Sequence, residues 1–141
     1  VVKPGAPKEI TISVQSKAGG KVQNFGSKKF RVYDVPDPVV TVTGTKNGKI
    51  TKAALNGFEV KAELKDFVFD VNFKVTSFTV STTKNGFLIS ENVKGGSKLN
   101  KNALEMMRSV ARNNRVYVES VKAVGPDGRE RSLNGITLKM Q

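Results

Sequence analysis

The chain has 141 residues, the size of one ordinary domain or of one domain with part of a neighbour. Its 24 Lys and Arg outnumber its 12 Asp and Glu, a net +12, and it has neither His nor Cys, which excludes Ser-His and Cys-His catalysis, zinc sites and disulfides. No apolar run reaches the ~20 residues of a membrane-spanning helix, and Val1 in place of Met leads us to expect an excised or processed piece.

The first 36 residues read as strands alone. Ile10, Ile12 and Val14 alternate with Thr11 and Ser13 between Pro7 and Gly19-Gly20, the period of a half-buried strand. Phe30 and Val32 repeat that period, with Lys29, Arg31 and Tyr33 on the other face. Pro36-Asp37-Pro38 then reads as a stiff linker or corner, because proline fixes its own φ and biases the preceding residue to extended backbone. A segment as short as 1–36 cannot enclose a core, so it reads as part of a preceding β domain that packs on the rest or on another chain.

Val40 and Val42, and then Phe58, Val60, Ala62 and Leu64, predict two further strands. Between them, 52–56 reads as a short helical turn with Thr51 as cap and Gly57 as stop. The longest run covers 67–82. Its apolar residues are odd-numbered at first (Phe67, Phe69, Val71, Phe73, Val75) and then even (Phe78, Val80). A strand of period two cannot change phase without an inserted residue, so a β-bulge is expected near Thr76-Ser77. Val116 and Val118 give way to Val121 and Ala123, which places a second bulge near Glu119-Ser120. Ile136, Leu138 and Met140 close the chain as a strand. Asn47-Gly48, Asn85-Gly86, Asp127-Gly128 and Asn134-Gly135 suit turns with positive φ. Asn85-Gly86 marks a hairpin, whereas Leu133 and Ile136 either flank a turn or belong to one bulged strand.

One principal helix is expected over about 99–113. Leu99, Ala103, Met106, Met107, Val110 and Ala111 recur at helical spacing, and Lys101, Glu105, Arg108 and Arg112 take the polar side. Asn100 or Asn102 can cap its start, Arg108 and Arg112 suit the negative end of its dipole, and Asn113-Asn114 ends it. The fold class is therefore α+β, mostly β: an antiparallel sheet with one principal helix, packed through Leu99, Met106 or Met107, and Val110.

The basic charge is spread, at +5 over 1–36 and +7 over 37–141, and no run exceeds two consecutive cations. Nonspecific nucleic-acid binding adds stacking aromatics to a charged groove. Here 8 of the 10 aromatics are Phe, mostly at inward-alternating positions, and Trp is absent. Charge then points to a solvated face or to acidic partners, with a basic nucleic-acid- or polysaccharide-binding β module as the alternative. Gly95-Gly96-Ser97-Lys98 precedes the helix but lacks the full phosphate-loop pattern and reads as a loop. Asp66 and Asp70, on one strand face, would stand ~13 Å apart, too far for a glycosidase pair. Gly125-Pro126-Asp127-Gly128-Arg129 reads as a tight turn. Its functional alternative is an exposed partner-contact loop made by Pro126, Asp127, Gly128 and Arg129. No residue set points to catalysis, a cofactor or a metal.

Several segments, in order, resemble the C-terminal periplasmic region of the GldM/PorM family of gliding-motility and type IX secretion proteins. Lys29-Phe30-Arg31-Val32 leads into Val35-Pro36-Asp37-Pro38, followed by Asn47-Gly48-Lys49-Ile50 and Phe67-Val68-Phe69-Asp70. Phe73 to Val80 and Ala123-Val124-Gly125-Pro126-Asp127-Gly128 complete the set. The resemblance covers nearly the whole chain. It implies that 1–36 are the terminal strands of an immunoglobulin-like β-sandwich domain and that 37–141 form the C-terminal GldM-like domain. It further implies a noncatalytic periplasmic module that links an inner-membrane motor to an outer-membrane-associated ring. Expected partners are the ring proteins, an outer-membrane lipoprotein among them, and a second copy in a homodimer. The full-length protein would be anchored in the inner membrane by an N-terminal helix. The family supplies no catalytic residue to carry over.

Overall fold

Two long alternating runs joined by Gly19-Gly20 make the first unit a hairpin. In the computed structural model, which describes residues 9–32, 35–67 and 70–141, it is built from β1 (Glu9–Ala18) and β2 (Lys21–Arg31). Pro7, Tyr33, Val68 and Phe69 lie outside the described residues. The turn glycines take φ of 61° and 81°, the positive values that a two-residue hairpin turn of matching twist requires. By its internal packing the chain divides into two units, Val1–Pro36 and Asp37–Gln141.

The second unit holds the core. Its strands are β3 (Val39–Val42), β4 (Lys49–Ile50), β5 (Val60–Glu63), β6 (Lys74–Lys84), β7 (Phe87–Lys94), β8 (Arg115–Val124), β9 (Glu130–Leu133) and β10 (Ile136–Met140). A six-stranded sheet runs in the order β4-β10-β8-β6-β7, with β9 also paired to β8, and β3 pairs with β5 in a separate two-stranded sheet. All described pairings are antiparallel except β4 with β10. The fold is mostly β with one α-helix, as the periodicity predicts.

Strand alternation sends one face of the large sheet into the core. Ile50, Phe78, Val80, Val93, Val116, Val118, Val121, Ala123, Leu138 and Met140 are buried there, joined by Val40, Val42, Val60 and Ala62 from the small sheet. Phe58 and Phe78 stack at 6.4 Å between ring centroids in the middle. The 3-10 turn Ala53–Gly57 adds Leu55, and Thr51 Oγ1 accepts from Ala54 N at 3.3 Å.

Helix α1 (Lys101–Ser109) is shorter than the sequence pattern. Asn100 Oδ1 accepts from Ala103 N at 2.8 Å and starts it. It stops at Val110, whose ψ of 128° is extended. Ala103, Met107 and Val110 are buried, Met106 is half-buried, and Ala111 is exposed. The reason for the early stop is tertiary: Asn113 N donates to Met140 O at 2.8 Å, and Met140 N donates to Asn114 O at 2.9 Å. Those sheet bonds claim backbone that a longer helix would use.

Both predicted bulges are present and lie opposite one another. Val75 opposes Ala123, Ser77 opposes Lys122, and Thr79 opposes Glu119. Thr76 is therefore the extra residue on β6 and Ser120, at φ 50°, the extra residue on β8, so the register recovers beyond them. β6 itself begins only at Lys74, because its neighbour β8 ends at Val124, where the Gly125-Pro126 turn leaves earlier residues no ladder. The strand expected from Phe67 is accordingly absent at Phe67 and Asp70–Phe73, and Asp66 sits in a bend at φ 56°. The Asn85-Gly86 hairpin is present, with φ of 52° and 81° and Lys84 opposite Phe87. β9 and β10 oppose β8 in one continuous register interrupted at Asn134-Gly135. Neither residue has positive φ and the register does not shift, so the expected turn is not formed there, and Leu133 and Ile136 follow one strand line without a bulge.

Candidate interaction surfaces

The Gly125–Arg129 segment forms a closed turn. Gly128 N donates to Gly125 O at 3.0 Å, and Gly128 has φ 74°. Asp127 Oδ1 accepts from Arg129 N at 3.1 Å, a local bond that Asp makes readily in turns. Its other oxygen accepts from Arg131 at 3.0 Å, and a second Arg131 nitrogen donates to Asp37 Oδ1 at 3.2 Å. The Arg131 guanidinium also covers the Phe73 ring, 5.4 Å from its centroid. Gly125 is buried beneath that ring, and a Cβ there would lie 2.8 Å from Phe73 Cε1.

Asp127 is thereby turned inward. Its side chain is 8% exposed and that of Arg131 15%. The Arg129 backbone N–H holds the Asp127 carboxyl below its ordinary 3.8; partial burial opposes this, and Arg131 adds a smaller lowering. Of the four residues the sequence singles out, Pro126, Gly128 and Arg129 are exposed and Asp127 ties the turn down. Arg131, Asp37 and Phe73 belong to the same corner, and sequence reasoning misses them. The β8–β9 register sets Arg131 opposite Ala123, and Asp37, 94 residues from Arg131 in the chain, reaches it from outside the sheet, so spacing along the sequence does not pair them.

Gly95-Gly96 does not form a phosphate cradle. Gly95 N and Gly96 N donate to Thr76 O at 2.8 and 3.1 Å, so both amides serve the bulged residue of β6. Ser97 Oγ donates to Glu59 Oε1 at 3.0 Å, and Ser97 O accepts from Val60 N at 2.8 Å, which seats the loop on β5. Depressions of about 470 and 440 Å³ border β5; Glu63 lines both, with Asp70 in the first and Lys61 and Lys74 in the second. Among the described residues no group of three His, Cys, Asp or Glu side chains converges on a metal position.

The first unit exposes an apolar face. Ile10 opposes Phe30, Ile12 opposes Lys28 and Val14 opposes Gly26, so Ile10, Ile12, Val14 and Phe30 share one side of the hairpin. Ile12, Val14 and Phe30 are exposed there, along with Val22 and Phe25 elsewhere on β2. The alternation predicts half-burial; among the described residues of this unit there are two strands, and two strands by themselves supply no second layer. In the second unit Phe87 and Leu88, at the tip of the β6–β7 hairpin, are 75% and 69% exposed.

No helix among the described residues is long and apolar enough to cross a membrane. The family model described as the GldM C-terminal domain matches residues 36–141. No curated protein matches the chain. The match spans most of the chain and all of the second unit, and the chain belongs to the GldM C-terminal-domain family, a component of the gliding-motility and type IX secretion machinery.

Proposed function

We infer that the chain is a noncatalytic periplasmic docking module that links the inner-membrane motor of the secretion and gliding machinery to the ring beneath the outer membrane. The observation that supports this most is the family match over 36–141, which coincides with the unit holding the whole described core. A rigid sheet is suited to the task, since close-packed interiors transmit strain. Its partners in this reading are the ring proteins, an outer-membrane lipoprotein among them. The exposed Pro126, Gly128 and Arg129 of the tied turn are candidate contacts.

In the same reading, 1–36 are the last strands of an immunoglobulin-like sandwich, and their exposed Ile12, Val14 and Phe30 face a layer supplied by preceding strands or by a second copy. The full-length protein is anchored in the inner membrane and works as a homodimer.

Binding of this chain to purified ring proteins tests the function. A complex at micromolar concentration is expected, and none at tens of micromolar would overturn the reading. Light scattering tests the dimer: a mass of only 15.3 kDa at high concentration would contradict it.

A further inference from the structure

The outward face of the large sheet carries a feature that neither the core nor the Arg131 corner uses. Lys46 opposes Lys49 across the Asn47-Gly48 turn. Lys49 opposes Lys139 across the parallel β4–β10 pair, and Lys139 opposes Arg115 across the antiparallel β10–β8 pair. Directly opposed residues share a sheet face. The four cations therefore form one row, ~4.8 Å from strand to strand and ~15 Å long. Ile50, Met140 and Val116, next along each strand, are buried on the other face, and all four cations are exposed.

No carboxylate among the described residues pairs with the row; the ion pairs there join Lys122 to Glu130, and Arg131 to Asp37 and Asp127. Glu119, the acid further along β8, stands four residues from Arg115, ~13 Å away, and accepts from Ser81 Oγ at 3.2 Å. Like charges directly opposed across strands destabilise a sheet. Lysines on an edge strand discourage the addition of further strands, which accounts for Lys46 and Lys49 beside β4. It does not account for Lys139 and Arg115, whose strands are paired on both edges.

We propose that this row is a docking surface for an acidic segment of a protein partner. The proposal deepens the ring-docking reading, on which it rests, by naming the partner's chemistry. A flat line of cations suits separated carboxylates rather than a single phosphate. Acidic residues three or four apart on a helix stand ~5–6 Å from one another, close to the spacing of the row. The adjoining register row places Thr137 opposite Tyr117, Tyr117 opposite Ser81 and Ser81 opposite Ser90. Ser81 is buried there, so the adjoining row offers the Thr137 and Ser90 hydroxyls and the single half-buried Tyr117 ring, where a nucleic-acid strand would need successive stacking platforms.

The test compares the wild-type chain with two variants of equal net charge. One replaces Lys46, Lys49, Arg115 and Lys139 with Gln; the other replaces the exposed Lys61, Lys65, Lys98 and Lys101 with Gln. The probe is a labelled helical peptide with Glu at every fourth position, followed by anisotropy. The row variant is expected to bind about tenfold more weakly or worse, while the control stays near wild type. Equal loss in both variants would overturn the proposal, as would tighter binding of the wild type to anionic vesicles or to a single-stranded oligonucleotide than to the peptide. Melting in low salt guards against misfolding: relief of repulsion raises the Tm of the row variant, and a fall would count against the proposal. Purified ring proteins separate the two readings. If they bind wild type and row variant alike, the row proposal fails and ring docking stands. If they bind neither while the peptide still selects the row, ring docking fails and the row stands.

Discussion

At the residue scale, two positions carry the sharpest constraints. Gly135 sits where β9 passes into β10, and a Cβ there would collide with Val118 O and lie 3.2 Å from Glu119 Cα. Backbone cannot yield as a flexible side chain does. Gly135→Ala is expected to cost about 1–3 kcal/mol, read as a lowered denaturation midpoint with an unchanged slope. Asp127 is the second. Its folded-state pKa lies below the ordinary 3.8, so the charged form contributes stability that is present above 3.8 and lost as pH falls through the depressed value. Asp127→Asn should lower the Tm at neutral pH, and the gap should narrow in acid below 3.8. A gap constant with pH would mean that charge has no part in tying the turn. The turn was legible in Gly125-Pro126-Asp127-Gly128. Its partners were not, because Asp37, Phe73 and Arg131 meet through the tertiary packing of segments far apart along the chain.

At the element scale, the helix and the paired bulges show what local rules can reach. Asn100 caps the helix through Ala103 N, and Asn100→Ala should cost about 1 kcal/mol, measured by thermal or chemical denaturation. The phase changes in 67–82 and 116–123 located both bulges. Their mutual opposition, with Thr76 O satisfied by Gly95 N and Gly96 N, depends on which strands are neighbours. The beginning of β6 likewise follows from where β8 ends. Alternation by itself continues back to Phe67, since it records a face to bury and not a partner to pair with.

At the scale of the whole molecule, every residue of the described core lies between Val40 and Met140. The 37–141 segment alone should therefore melt as one cooperative unit, as seen by calorimetry. A broad, non-cooperative transition would show that the first unit is needed for its folding. Phe78 is fully buried at the centre against Phe58, and Phe78→Ala should cost about 3–5 kcal/mol. The surface divides in character: an open apolar face on the hairpin, and a cationic row on the outward side of the large sheet.

Hydrophobic periodicity and turn chemistry, written in the sequence alone, determined the class of this protein: mostly β, one capped helix, hairpins at Asn-Gly, bulges where the alternation slips. These are properties of neighbouring residues, and the physics behind them is local sterics and the need to bury one face. The tertiary structure alone decided which strands lie side by side. From that choice come the Arg131 corner, the early stop of the helix and the alignment of Lys46, Lys49, Lys139 and Arg115. Pairing is set by the packing of distant segments, so no window of the chain contains it.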